Sequence, residues 1–250
     1  MRTLTMLMAL MLGLLTVPGG KNSSLAKENG YVINLDRAEK LEKMTYSSLF
    51  SKAGIIVLED TDESLLGKVD KLEVCDNNLY VLEKGRGLFL FNKQGKFIKM
   101  IGRQGKGPGE YIDPDDISID RENKKIYVLD SQTQNVLKYS GNGTFESSFK
   151  LENKGTRSTF IQPFKNALYT NLYTFDKSGK RFLLSKVDVT NGKRISFQFE
   201  ASQYNKGWNE LFSTDQHTFI SGPTGNPKFM QIFMDTIFEI TPKGIKPVSY

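Results

Sequence analysis

Residues 102–111 read Gly102-Arg103-Gln104-Gly105-Lys106-Gly107-Pro108-Gly109-Glu110-Tyr111, with four glycines and one proline in ten positions. Segments that alternate apolar and polar residues stand on both sides, 97–101 before and 117–120 after. A glycine run after a strand invites a phosphate-cradle reading. That reading needs a helix to start at the loop, so that its free N–H groups face the anion. Here Pro108, Pro114 and the strand-like Ile117 follow instead. A Walker loop needs Gly-Lys-Ser/Thr, but Lys106 is followed by Gly107. The stretch therefore reads as a structural crossing between two sheets. Glycines permit the positive φ values such a path needs, and Pro108 stiffens it. Glu110 and Tyr111 are expected to pin the loop by a hydrogen bond and by packing.

The flanking segments repeat. Residues 71–75 alternate, 76–78 turn, and 79–82, 88–91 and 97–101 read as three further strands. After the loop the series recurs as 117–120, 126–129, 136–139 and 145–149, with turns at 121–125 and 140–143. Leu79 and Ile126 lie 126 − 79 = 47 positions apart, and Phe91 and Tyr139 lie 139 − 91 = 48 apart. Four short strands at a period in the forties are the pattern of a β-propeller blade. One such blade cannot bury both faces alone, so neighbours must cover them. The fold class is all-β, a propeller of four-stranded antiparallel blades.

Beyond Leu151 the period blurs while the strand–turn rhythm continues. Residues 167–173, 182–189 and 195–199 read as strands, with hairpin turns at 178–179 and 191–192. A fourth unit comprises 211–213, 217–221, 229–233, 236–240 and 245–250. No segment has a sustained helical period, and no low-complexity linker divides the chain, so 55–250 is one domain. Residues 1–20 read as a signal peptide: Arg2 precedes an apolar run over 4–15 that is too short to span a bilayer, with Val17 and Gly19 at cleavage spacing. Residues 21–54 form a polar, irregular segment with a short strand at 31–35. There, 36–49 is either a short helix or irregular, and 55–58 is a strand ahead of the first repeat.

Composition excludes several chemistries. Cys75 is the single cysteine and His217 the single histidine. An intrachain disulfide is impossible, and a zinc site of His and Cys lacks its three or four ligands. No Gly-x-Ser-x-Gly motif accompanies His217, so a Ser-His-Asp triad has no nucleophile signature. The formal charge is +6, with a local excess at Lys93, Lys96, Lys99, Arg103 and Lys106. A basic bias of this size reads first as a solvated surface, and second as attraction to nucleic acid, anionic glycans or membrane surfaces.

The run from Phe97 to Gly102, the glycine loop, Asp113-Pro114 and residues 117–120, 126–130 and 137–139 resemble the NHL-type propeller repeat. More closely, they are similar to exported six-bladed β-propeller proteins of Gram-negative gut bacteria, where a Gly-x-x-Gly-x-Gly-Pro-Gly-Glu-Tyr/Phe loop precedes the second blade. Ser64-Leu65-Leu66-Gly67 also fits that family. The close match covers about residues 55–150 and a weaker one runs to Tyr250. The resemblance implies the fold and export to the periplasm or cell envelope, and says nothing about activity, because most members have no assigned function. Many members carry a lipobox cysteine, whereas this chain has Gly19-Gly20, which argues against a lipid anchor. Residues 69–250 supply about four units, whereas six would need roughly 280 residues. A truncated six-blade ring is therefore expected over one that closes with fewer blades.

Strands within a blade alternate direction, so blade-to-blade loops and the loops after each second strand open on one face. This places Arg103, Gln104, Lys106 and Glu110 beside Lys84 and Arg86, and beside Gln132, Gln134 and Asn135. Exposed loop residues on a rigid scaffold are the usual place for recognition. A basic, amide-rich face suits a glycan or an acidic protein partner. The expected function is thus an exported, non-enzymatic binding propeller without cofactor, nucleic-acid partner or membrane span in the mature chain. The alternative is a calcium-dependent hydrolase or lyase of the gluconolactonase-like kind, with Asp116, Asp120 and Asn166 as donors. Glu83 and Asp130 hold equivalent strand ends and are expected to cap turns.

Overall fold

The computed structural model describes residues 43–153, 155–174, 180–204, 217–222, 225–232, 234 and 236–249. The expected signal peptide, the strand at 31–35, the turn at 178–179 and the segment 211–213 lie outside them. Two four-residue helices, α1 (Tyr46–Leu49) and α2 (Ala201–Tyr204), are the only α-helices among the described residues. The rest is antiparallel sheet. Blade 1 comprises β1 (Lys71–Cys75), β2 (Asn78–Glu83), β3 (Gly87–Asn92) and β4 (Phe97–Ile101). Blade 2 comprises β5 (Pro114–Asp120), β6 (Lys125–Asp130), β7 (Asn135–Ser140) and β8 (Phe145–Lys150). The two-residue β9 (Thr156–Arg157) precedes blade 3, formed by β10 (Ile161–Phe164), β11 (Ala167–Asn171), β13 (Phe182–Asp188) and β14 (Arg194–Glu200). Between them β12 (Tyr173–Thr174) pairs back to β9. Blade 4 comprises β15 (Phe219–Ile220), β16 (Lys228–Phe229), β17 (Ile237–Thr241) and β18 (Gly244–Ser249).

Alternation along the second strands explains the stacking. From β2, Tyr80 and Leu82 join a core with Ile117, Ile126 and Val128 of blade 2. The intervening Leu79 and Val81 face the other way, where Ile56, Leu58, Leu66 and Val69 cover them. From β6, Tyr127 and Leu129 turn to Ile161, Leu168 and Val187 of blade 3. Blades 3 and 4 meet through Tyr169, Leu184, Phe229 and Ile240. Burying both faces of a sheet turns the period-2 pattern into the near-continuous apolar runs seen in β2 and β6.

Two expectations need correction. β10 contains Gln162 and Pro163, which broke the apolar pattern and concealed the strand. It is an edge strand, where proline's missing N–H leaves no ladder bond unmade. Residues 55–58 run extended but pair with no strand among those described. Their place is still defined: Glu59 N donates to Gly95 O (2.8 Å), and Phe97 N donates to Glu59 Oε2 (2.8 Å). The end of β8 meets blade 3 in the same way, with Glu152 N on Gly192 O (3.0 Å) and Arg194 N on Glu152 Oε2 (3.3 Å). Residues 56–59 therefore lie beside blade 1 as the end of an outer strand lies beside the next blade.

The first strands meet at the centre, and Asp116 ties them. Its Oδ1 accepts from Lys71 Nζ of β1 (2.7 Å) and its Oδ2 from Ile161 N of β10 (2.8 Å). Lys71, Asp116 and Ile161 are equivalent positions, opposite Leu82, Leu129 and Thr170. The carboxylate is fully buried. Asp116→Ala would leave the Ile161 N–H without its partner and Lys71 with only the longer contact to Glu73 (4.0 Å), and should destabilise the fold by about 3–5 kcal/mol. Urea unfolding should also show a smaller loss for Lys71→Met/Asp116→Leu, which removes both charges. A single variant as stable as wild type would contradict the central role of this pair.

Candidate functional site

The glycine stretch is the crossing from β4 to β5, and it is closed on itself. Tyr111 N donates to Arg103 O (3.1 Å) and Gly105 N to Tyr111 O (3.0 Å). The Glu110 carboxylate lies inside the turn, accepting from Gly107 N (2.8 Å) and Arg103 Nε (2.6 Å). The Gly107 N–H and Arg103 together hold this carboxyl below its ordinary range. Tyr111 Oη donates to Ile101 O (2.9 Å) and accepts from Leu88 N (3.2 Å), so the loop is anchored in the blade 1 core. Tyr139 Oη donates to Gly109 O (3.0 Å) and anchors it to blade 2. The N–H groups of Gly105 and Gly107 are thus engaged within the loop, and they make no phosphate cradle. Gly102 is at φ +69°, and a Cβ there would lie 2.5 Å from the Tyr111 ring and 2.6 Å from Tyr139 Oη. Gly102→Ala should cost about 1–3 kcal/mol from backbone strain alone, before the clash. Thermal melting should place it well below wild type.

The crossing and the loop after β2 open on one face, as expected. Gln104 Nε2 donates to Gly85 O (2.9 Å), and Gly85 N donates to Asp113 Oδ1 (3.1 Å). The entries to blades 1, 2 and 3 are each tethered by a polar residue ending the second strand. Gly67 N reaches Glu83 (3.3 Å), Ile112 N reaches Asp130 Oδ2 (2.7 Å), and Phe160 N reaches Asn171 Oδ1 (2.7 Å). Asp130 also caps its turn through Thr133 N (3.1 Å). Glu83 and Asp130 are thus chiefly tethers, and the offset they share with Asn171 is the sequence signal for it.

The structure sorts the expected face residues into two sets. Lys84, Lys106 and Gln132 are exposed, and their side chains have no hydrogen-bond or ion-pair partner among the described residues. Arg86 is a structural residue: its guanidinium donates to Leu65 O and Glu83 Oε2 and lies 5.0 Å over the Phe89 ring. Arg103, Gln104 and Glu110 hold the loop. Gln134 was expected on the exposed face but is buried, which is a correction. Its amide bonds Ser131 O and both the N–H and the carbonyl of Ser158, because β7 starts under the blade 2 to blade 3 crossing. Asn135 is half-buried at the start of β7.

A groove of about 670 Å³ opens between the crossing and β8. Lys106 and Pro108 stand on one wall, Ser147, Ser148 and Lys150 on the other, with Thr133, Asn135 and Phe145 between. Sequence reading missed the β8 side. Ser147 and Ser148 carried no signal beyond an outer strand, and only packing of the crossing against β8 turns them into a wall.

The expected calcium donors do not converge. Both Asp116 oxygens are engaged, by Lys71 and Ile161. Asp120, at the far end of β5, caps the following turn through Asn123. Asn166 is in the β10–β11 turn at φ +59°. Beside Asp116 lies His217, with its ring 4.9 Å from Phe160. Burial of its inner side and Lys71 hold the imidazole below its ordinary value of 6.5, while Asp116 and a hydrogen bond with the Asp70 backbone oppose the shift. A lowered folded value means the neutral form is favoured. The associated stability is complete above about pH 6.5 and is lost as pH falls through the folded value. Melting temperature should therefore decline slightly on acidification from pH 7 to 5, and less so in His217→Gln. The effect is small because the ring also faces solvent.

A family model matches residues 30–250. The chain belongs to the DUF4934 family, a domain of unknown function. A candidate exported protein from Bacteroides fragilis superposes with TM-score 0.60 at 22% identity, over 78% of this chain and 53% of that one. The likeness shows the fold, and the chain spans about half the length of that protein. The glutaminyl cyclase of Myxococcus xanthus (TM-score 0.43, 12% identity, 71% of each chain) and a streptogramin B lyase (0.38, 14%, 72% of this chain and 67% of that one) are too distant to carry an argument. No curated protein matches the chain. Among the described residues, no helix is long and apolar enough to cross a membrane.

Proposed function

We propose that this DUF4934 chain is an exported, non-catalytic recognition propeller of the periplasm or cell envelope. Its loop-rich face binds a partner, either a protein or a glycan. One observation carries this reading: Lys84, Lys106 and Gln132 stand exposed and unpaired among the described residues, in loops whose backbones are held by the carboxylates of Asp70, Glu110 and Asp130. Loops held in this way lose little freedom on binding, so their side chains can contribute affinity without a large ordering cost. Export rests on the reading of residues 1–20 and on the likeness to the Bacteroides fragilis protein. The calcium-dependent enzyme reading is the weaker, because Asp116, Asp120 and Asn166 stand apart.

Replacing Lys84, Lys106 and Gln132 together by Ala should reduce capture of a cross-linked partner from the native envelope at least tenfold. The melting temperature should stay within about 2 °C of wild type, as expected for surface changes. Undiminished capture by the triple variant would show that recognition lies elsewhere.

A further inference from the structure

We infer that the groove between the crossing loop and β8 binds an acidic saccharide, a short oligosaccharide bearing uronate carboxylates. This inference rests on the proposal that the loop-rich face is the recognition surface, and it names the ligand chemistry there.

The first argument is electrostatic. Two carboxylates line the groove, and both are turned inward. Glu110 is engaged by Gly107 N and Arg103, and Asp130 by the N–H groups of Ile112 and Thr133. Lys106 and Lys150, on opposite walls, are exposed and have no ion-pair partner among the described residues. The charge left facing the groove is therefore positive.

The second argument is the type of donor. Ser147, Ser148 and Asn135 line the groove, and their side chains make no hydrogen bond among the described residues; Thr133 also lines it, but its hydroxyl is buried. Hydroxyls and amides in this number match a ligand that is itself rich in hydroxyls. Phe145 is held edge-on by Tyr139 at 5.8 Å and offers an apolar surface for a sugar ring. Gly105, Gly107, Ser147 and Ser148 are small, so the trough is smooth enough for a chain to lie along it.

The third argument separates this ligand from other anions. Planar, bidentate phosphate recognition uses arginine, and no arginine lines the groove. Single-stranded nucleic acid needs several stacking rings, and Phe145 is the single aromatic in the lining. Two separated lysine point charges suit carboxylates spaced along a polyhydroxylated chain.

The test uses oligogalacturonate and its fully methyl-esterified counterpart, which keeps the hydroxyls but lacks the charge. Calorimetry should show the acid form binding at least tenfold more tightly than the ester, the scale expected for one charge-assisted contact. Affinity should fall with added salt. Lys106→Ala/Lys150→Ala should lose at least tenfold, and Ser148→Tyr should block binding by filling the trough. Both changes are on the exposed surface and should leave the melting temperature unaltered. Equal binding of acid and ester, or no binding of either, would overturn the inference. If partner capture by the wild-type face persists in that case, only the ligand assignment fails. If capture is also insensitive to the triple change at Lys84, Lys106 and Gln132, the recognition reading fails with it.

Discussion

The buried carboxylate of Asp116 is the constraint on which the central arrangement depends. A charge at this depth needs its partners, because desolvation of an unpaired carboxylate costs far more than a typical contact returns. Its partners come from two other blades, Lys71 on one side and the Ile161 backbone on the other. The first strands of blades 1, 2 and 3 are thereby held at fixed spacing and register. Hydrophobic stacking between blades supplies area but tolerates sliding. The directional bonds of Asp116 do not.

A similar principle governs the adjoining loops at the same end of blades 1, 2 and 3. Glu83, Asp130 and Asn171 accept backbone N–H groups from the segment entering their own blade. The glycine crossing adds Glu110, Tyr111 and Tyr139 to this system. The loop-rich face is consequently a set of turns whose conformations are fixed from below. The side chains left over, chiefly lysines, serines and amides, are those free to meet a ligand.

Much of the fold was legible. The 47- and 48-residue spacings place eight strands of blades 1 and 2 within a residue or three of their observed ends, because sheets covered on both faces need regular apolar runs. Tyr111 was readable as an anchor because a large amphipathic ring closing a glycine loop needs a buried partner. Residues 161–164 were not legible, since Gln162 and Pro163 interrupt the pattern and are tolerated only at an edge. Gln134 misled for a related reason. An amide in a turn reads as exposed, and its burial follows from the next crossing passing over it.

The sequence by itself determined the all-β class, the blade period, the structural role of Gly102–Tyr111 and the face on which the loops gather. These follow from local rules, namely side-chain alternation, turn chemistry and strand direction. Tertiary structure alone decided which polar groups remain available. Arg86, Arg103, Glu110 and Gln134 are taken up by the fold, while Lys106 and Lys150 are left across a groove that their positions in the chain, 44 residues apart (150 − 106), do not foretell. The reason is physical. Hydrogen-bond satisfaction is settled by neighbours in space, and those neighbours come from other blades.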